Sequence, residues 1–277
     1  MQSSIGNVIW SDDDRYLLFT SFVEKTDNKL IQMPKKPKGA KWNEPPIEID
    51  DMVYRYDGGG FRRPGSTQIF VLSSEGGTPR QLTELNHNIR SVEWMNNDKV
   101  LFSANLSENS DFEPNNSDIY TLDIPTGEIK KLTERFGPDY APKVSPDKKH
   151  IAYLGYDDKF LGYQQNSLYI MDSDGGNIKL VSNGFDRNIS NINWDGKGLY
   201  FQYDNEGMTK IAYISLSGKV RDIIDELGGL SLGRPYSGGT YTISDNGRYA
   251  FTYGNVYNPA DLAAVSYTHL RAHETSE

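Results

Sequence analysis

Five times along the chain a strand pattern, a tight polar turn and a second strand pattern recur: NVIW-SDDD-RYLLFTSF, SVEW-MNND-KVLFSA, APKV-SPDK-KHIAYLGY, NINW-DGK-GLYFQY and TYTI-SDNG-RYAFTYG. After each of the first four comes another strand, a turn and a shorter strand: TQIFVLSSEGGTPRQLT, SDIYTLDIPTGEIKKLT, NSLYIMDSDGGNIKLVS and TKIAYISLSGKVRDII. A repeat of this kind constrains the fold more than any other feature, because a four-strand unit with two apolar faces must stack on copies of itself. Landmarks set its period: Trp94 to Trp194 is 100 residues across two units and Leu82 to Leu132 is 50, near the roughly 40 to 50 residues of a propeller blade.

The expected fold is therefore all-β, a β-propeller of four-stranded antiparallel blades, with about four blades plus a partial fifth and an incomplete ring. Blades are expected at 1–83, 84–133, 134–182 and 183–224, with the fifth from about 236. Its third strand is expected at ADLAAV. Apolar residues alternate at Ile69 and Val71 and at Tyr120 and Leu122, as strands facing a neighbouring blade require. Gly76, Gly127, Gly175 and Gly218 fall where a tight hairpin needs a positive φ. A parallel α/β fold would need helical segments of ten or more residues between strands, and none is found. Glycine (26) and tyrosine (18) are abundant and long apolar runs are missing, which agrees with many short strands.

A formal charge of −9 argues against nucleic acid or an anionic membrane as partner, since phosphate binding needs a basic surface. With no cysteine there is neither a disulfide framework nor thiolate chemistry, and the compartment stays open between bacterial cytoplasm and periplasm. No stretch approaches the ~20 apolar residues of a membrane helix, and MQSSIGNVIW lacks the features of a signal peptide. The expectation is a soluble chain, its oligomeric state open. Residues 265–277 abandon the alternation: SYTHLRAHETSE is expected to be foreign sequence read through from an adapter. His269 and His273 there are four apart, but no second His completes HExxH, so no metal is assigned.

Three segments carry a family resemblance: SPDKKHIAYLGYDDKFLGY, the insertion MPKKPKGAKWNEPPIEIDDMVYRYDGGGFRRPGSTQIFVLSSEGGTPRQLT, and GLYFQYDNEGMTKIAYISLSGKV. Together they resemble the propeller of acylaminoacyl-peptidase-like members of the prolyl oligopeptidase family, over residues 1 to about 264. The SPDGK-like turns are shared with many propellers, the Tol-type periplasmic ones among them; the insertion with YRYDGGGFRRPG is the more specific part. The resemblance implies a propeller that caps a C-terminal α/β-hydrolase domain carrying a Ser–Asp–His triad, the Ser on a GxSxG elbow. This chain has no GxSxG, and RPYSGGT around Ser237 lacks the Gly two positions before the Ser. No catalytic residue and no cofactor is assigned, and the chain alone is expected to be inactive.

Because strands alternate in direction, the long connections 24–66, 104–117 and 155–166 should share one rim with the connections between blades, while the opposite end holds tight turns. Long loops gathered on a rigid scaffold usually have work there. On the resemblance, that rim faces a missing hydrolase domain of the same chain and filters or positions short peptides. Candidate contacts are Arg55, Asp57, Arg62, Tyr156 and Asp157: an Arg can hold a peptide carboxylate, an Asp an amine, and a Tyr can cover apolar surface. The alternative for each is a loop folded on itself with its charges paired or solvated. Lys35, Lys36, Lys38 and Lys41 read as a solvated loop. Asp12, Asp13, Asp14, Asp172 and Asp174 read as turn residues rather than a cation site, which needs six or more converging oxygens. Trp10, Trp94 and Trp194 read as packing between blades, and Trp42 as a cover for the hydrolase domain or an anchor for its own loop.

Two other functions fit a propeller. A stand-alone Tol-type propeller would mediate protein–protein binding. A propeller glycosidase would need paired carboxylates and commonly an SxDxGxxW turn, which this chain lacks.

Overall fold

A computed structural model describes residues 5–25, 34–43, 47, 49, 51–229, 238–244, 248–255 and 257–266. The first blade begins with β1 (Ile5–Trp10) and β2 (Tyr16–Glu24), is interrupted by a small hairpin of β3 (Arg55–Tyr56) and β4 (Gly60–Phe61), and ends with β5 (Gly65–Ser73) and β6 (Arg80–Gln81). The second holds β7 (Ile89–Asn96), β8 (Lys99–Ala104), β9 (Asp118–Asp123) and β10 (Ile129–Lys131). The third holds β11 (Asp139–Val144), β12 (His150–Gly155), β13 (Ser167–Asp172) and β14 (Lys179–Leu180). The fourth holds β15 (Ser190–Trp194), β16 (Gly198–Asn205), β17 (Met208–Ser215) and β18 (Val220–Ile224), and the fifth β19 (Tyr241–Ile243), β20 (Arg248–Asn255) and β21 (Asn258–Ser266).

Each blade is an antiparallel meander in which strands pair in sequence order, the arrangement that tight turns between short strands dictate. There is no helix among the described residues, and the five sheets are the blades of a propeller. The blades fall at the expected boundaries, and Gly76, Gly127, Gly175 and Gly218 take φ values of +89°, +74°, +95° and +88°. The polar turns are held by their own side chains. Ser11 donates to Asp13 at 2.7 Å and Ser145 to Asp147 at 2.7 Å, while the amides of Arg15 and Lys149 donate to the same two carboxylates. Asp174 accepts the amide of Gly176 and Asp172 the side-chain amide of Asn177, so these aspartates serve the turns, as the sequence suggested.

The core explains why the second strand of each blade is apolar on both faces. Successive residues point to opposite sides of a sheet, so one strand serves two joints. Val100 and Phe102 pack toward the first blade, whereas Leu101 packs toward the third. Ile151 and Tyr153 meet the second blade, Ala152 and Leu154 the fourth. Leu199 and Phe201 meet the third, Tyr200 the fifth. Four apolar clusters result, one per joint, and the smallest lies between the second and third blades. Each fully buried Leu, Ile or Phe stabilises the fold by about 1.5–3 kcal/mol. Aromatic pairs cross from second to third strand in four blades: Phe19–Phe70, Phe102–Tyr120 and Tyr153–Tyr169 stack at 5.6, 5.3 and 5.4 Å, and Tyr200–Tyr213 meet edge-on at 5.0 Å.

Two of the three equivalent tryptophans pin the joints. Trp94 donates its indole N–H to the Ile9 carbonyl of the first blade at 3.2 Å, and Trp194 to the Lys143 carbonyl of the third at 2.9 Å. Trp10 departs from the expectation: it is 53% exposed, because no described blade lies against its side of the first sheet.

Candidate functional site: the loop-bearing rim

The connection from second to third strand and the connection between blades emerge at the same end of the molecule. The first, second and third blades carry 25–64, 105–117 and 156–166 there, between β2 and β5, β8 and β9, and β12 and β13. The fourth blade makes the same connection with Glu206 and Gly207 alone.

The three long loops differ in how they are held. On the first, Arg62 lies 3.4 Å from Asp51 and donates from its backbone N–H to the Tyr54 carbonyl at 2.8 Å, closing the β3–β4 hairpin. Tyr54 and Phe61 meet at 6.3 Å across it. The hairpin is apolar and uncovered: Trp42, Met52, Tyr54, Tyr56 and Phe61 are all about half-exposed. Arg55 and Asp57 line a shallow cavity of about 430 Å³ with Met52, Val53 and Tyr54. Arg62 lines a separate cavity of about 930 Å³ with Glu24, Lys25, Asp51 and Glu84. Behind it the buried Gln68 donates to the Leu85 carbonyl at 2.7 Å and accepts the Leu85 amide at 3.0 Å, fixing the first-to-second connection.

The loops of the second and third blades are tied together. Asn116 accepts the Gly137 amide at 3.2 Å, and Asn115 donates to Asp158 at 3.4 Å. The Asp158 amide donates to the Phe136 carbonyl at 3.0 Å, and Phe136 meets Phe160 at 5.6 Å. Tyr156 is half-buried in this arrangement and Asp157 is exposed. The side chain of Asp158 accepts from Gln164 at 2.7 Å, which with the Phe160 amide holds its carboxyl below the usual carboxylate range.

The five candidate residues therefore form two groups rather than one pocket. Arg55, Asp57 and Arg62 belong to the hairpin of the first blade; Tyr156 and Asp157 belong to the joined loops of the second and third. Lys35, Lys36, Lys38 and Lys41 are exposed, as a solvated loop should be. Pro45, Pro46, Ser237, His269 and His273 lie outside the described residues.

The sequence reading missed the most buried charge on this rim. Arg135, in the connection between second and third blades, pairs with Asp139, which is fully buried, and its Nη1 lies 3.7 Å from Asp157. Its guanidinium sits over the ring of Tyr169, 4.2 Å from the centroid. A β-carbon at Gly155 would overlap the guanidinium, the Pro138 carbonyl and the Asp139 carboxylate, so glycine is required there. The available signal was Arg-x-x-x-Asp in a connection whose counterparts read Leu-x-x-x-Ile and Phe-x-x-x-Ile.

A family profile for the dipeptidyl peptidase IV N-terminal region matches residues 59–159. A dipeptidyl-peptidase 5 of Porphyromonas gingivalis is 36% identical over 114 residues, covering 39% of this chain and 16% of that protein. The Tol-Pal system protein TolB of Francisella tularensis is 25% identical over 164 residues, covering 57% of this chain and 35% of TolB. In three dimensions an acylaminoacyl peptidase of Pyrococcus horikoshii matches 98% of this chain with a TM-score of 0.65 at 20% identity, over 40% of its own length. The chain thus spans well under half of each of these proteins. Its blades and these matches define a β-propeller, a fold it shares with these peptidases and with TolB. Over residues 59–159 the chain is similar to the N-terminal region of dipeptidyl peptidase IV.

Proposed function

We propose that this propeller is the non-catalytic part of a serine peptidase, with the loop-bearing rim set against an α/β-hydrolase domain of the same protein, where it gates and orients short peptide substrates. The observation that carries the reading is the asymmetry of the two ends. At the rim, Phe112, Phe160 and Tyr163 are 75%, 76% and 83% exposed, and the hairpin adds Tyr54, Tyr56 and Phe61. Exposed aromatic residues in this number mark a surface that meets another surface or ligand. The charges beside them suit a zwitterionic peptide: Arg55 and Arg62 for its carboxylate, Asp57 and Asp157 for its amine.

The test uses the uninterrupted gene. A following domain with GxSxG, Asp and His is expected. In that protein Tyr56→Ala with Phe160→Ala should raise KM for a tripeptide anilide several-fold while leaving labelling of the nucleophile by a phosphonate unchanged. Unchanged KM would remove the orienting role.

A second reading rests on the match to TolB over 57% of the chain: a propeller that binds a protein partner through the same rim. A reading frame that closes without a hydrolase domain, together with a rim that captures a folded protein and not a peptide, would favour it.

A further inference from the structure

The joints that link the first four blades are built alike except at one point. Counted back from the equivalent first-strand ends Trp94, Val144 and Trp194, the connections place Leu85 and Ile89, Arg135 and Asp139, and Phe185 and Ile189 at the same two positions. Leu85 and Phe185 each pack on the apolar cluster of their joint, and Ile89 and Ile189 are buried in it. The hydrogen bonds confirm the equivalence, since Ser66 donates to the Leu85 carbonyl and Gln165 to the Phe185 carbonyl, and the next amides, of Thr67 and Asn166, donate to Asn88 and Asn188. Among these three joints, the one between second and third blades replaces the apolar pair by an ion pair, and it has the smallest apolar cluster.

A buried ion pair is poor stabilisation, because desolvation offsets most of the attraction and an apolar pair of similar size does as well or better. This pair is also incompletely satisfied: Arg135 Nε and Nη1 and Asp139 Oδ2 are buried without a hydrogen-bond partner. What it does provide is a charge at the base of the loop formed by residues 156–166. Arg135 lies between the buried Asp139 and the exposed Asp157 of that loop.

We infer that Arg135 is a positioning residue for the loop 156–166, and that Asp139 and Asp157 compete for its charge, so that the loop is held more tightly when Asp139 takes up a proton. The groups around Asp139 permit this. Burial pushes its carboxyl up to about 6 against the pull of Arg135 and with a contribution from Asp118. Burial weakens Arg135 as a cation, but Asp139 more than restores it and leaves it raised. Asp118 is already occupied by Lys131 at 2.7 Å and by Thr133. Tyr153 and Tyr169 are both raised by burial and stay neutral. Once Asp139 is neutral, Asp157 is the remaining carboxylate in ion-pair range of Arg135 among the described residues.

The inference deepens the rim reading, on which its purpose rests, but its test follows the loop and not peptide turnover, so either can fail alone. Hydrogen exchange of the full chain is followed by mass spectrometry from pH 7.5 to 5, with rates corrected for intrinsic chemistry. Protection of 156–166 should rise about fivefold on acidification, the scale of one half-exposed charge pair. Asp157→Asn should abolish the rise, and Asp139→Asn should show the acid level of protection already at pH 7.5. The double variant R135L/D139I copies the sister joints; it should keep core protection in β8 and β12 while the loop loses both protection and pH response. Loop protection unchanged in R135L/D139I, or a pH response that survives Asp157→Asn, would overturn the inference. If Asp139→Asn does not fold, the double variant and Asp157→Asn still decide it.

Discussion

The first three blades and the fourth share strands, register and core, yet differ completely at one end. The fourth blade turns from second to third strand with two residues, Glu206 at φ +53° and Gly207 at φ +83°, the left-handed pair that a two-residue hairpin requires. The first three use loops of eleven residues or more for the same step. A blade therefore needs no long loop to close, and ordering each additional residue costs about 1–2 kcal/mol of backbone entropy. What keeps those loops is something other than blade folding.

That contrast can be broken by experiment. The largest effect is expected in the shared core: Phe102→Ala or Phe201→Ala, both fully buried, should lower unfolding free energy by about 3–5 kcal/mol in denaturant titration. Phe160→Ala on the rim, 76% exposed, should change it by less than about 0.5 kcal/mol; equal losses would make the rim part of the fold. Next comes Gly155→Ala, where the added methyl meets the Arg135–Asp139 pair. It should cost about 1–3 kcal/mol, whereas Gly162→Ala in the loop, with nothing nearby, should cost little. Trp94→Phe and Trp194→Phe each remove one indole N–H bond between blades and should cost about 1 kcal/mol. Trp10→Phe, lacking such a bond, should be close to silent. Small for so large a change, replacing residues 25–64 by Asn-Gly, in imitation of the fourth blade, should move stability by no more than about 1 kcal/mol while removing the apolar hairpin. A collapse of the first blade would show that the insertion is structural.

Most of the fold could be read from the sequence, because blades repeat and their period, turn glycines and alternating strands are local patterns. Val100, Leu101 and Phe102 show the physical reason: a strand buried on both faces must be apolar at every position, which leaves a visible run. The site was legible only as a place. The long loops announced the rim, but which side chains meet across it depends on loop paths with no periodicity, so Arg55 and Asp157 were grouped although they lie in separate loops. Trp10 was read by analogy with Trp94 and Trp194, and analogy fails where a blade lacks the neighbour that would cover it. Arg135 and Asp139 sat in a short connection that drew no notice beside the long ones; aligning the connections with one another, rather than the strands, reveals them.

The joints have a mechanical consequence. Each indole bond and each apolar cluster links one blade only to the next, so a chain held by its two ends transmits load through these joints one at a time. Stretched between a surface and a probe, the molecule should lengthen in steps as blades come away in turn. Leu82 to Leu132 spans 50 residues, which at full extension is about 170 Å of chain released per step. The joint between second and third blades, with the smallest apolar cluster and the buried charge, is where the first step should fall.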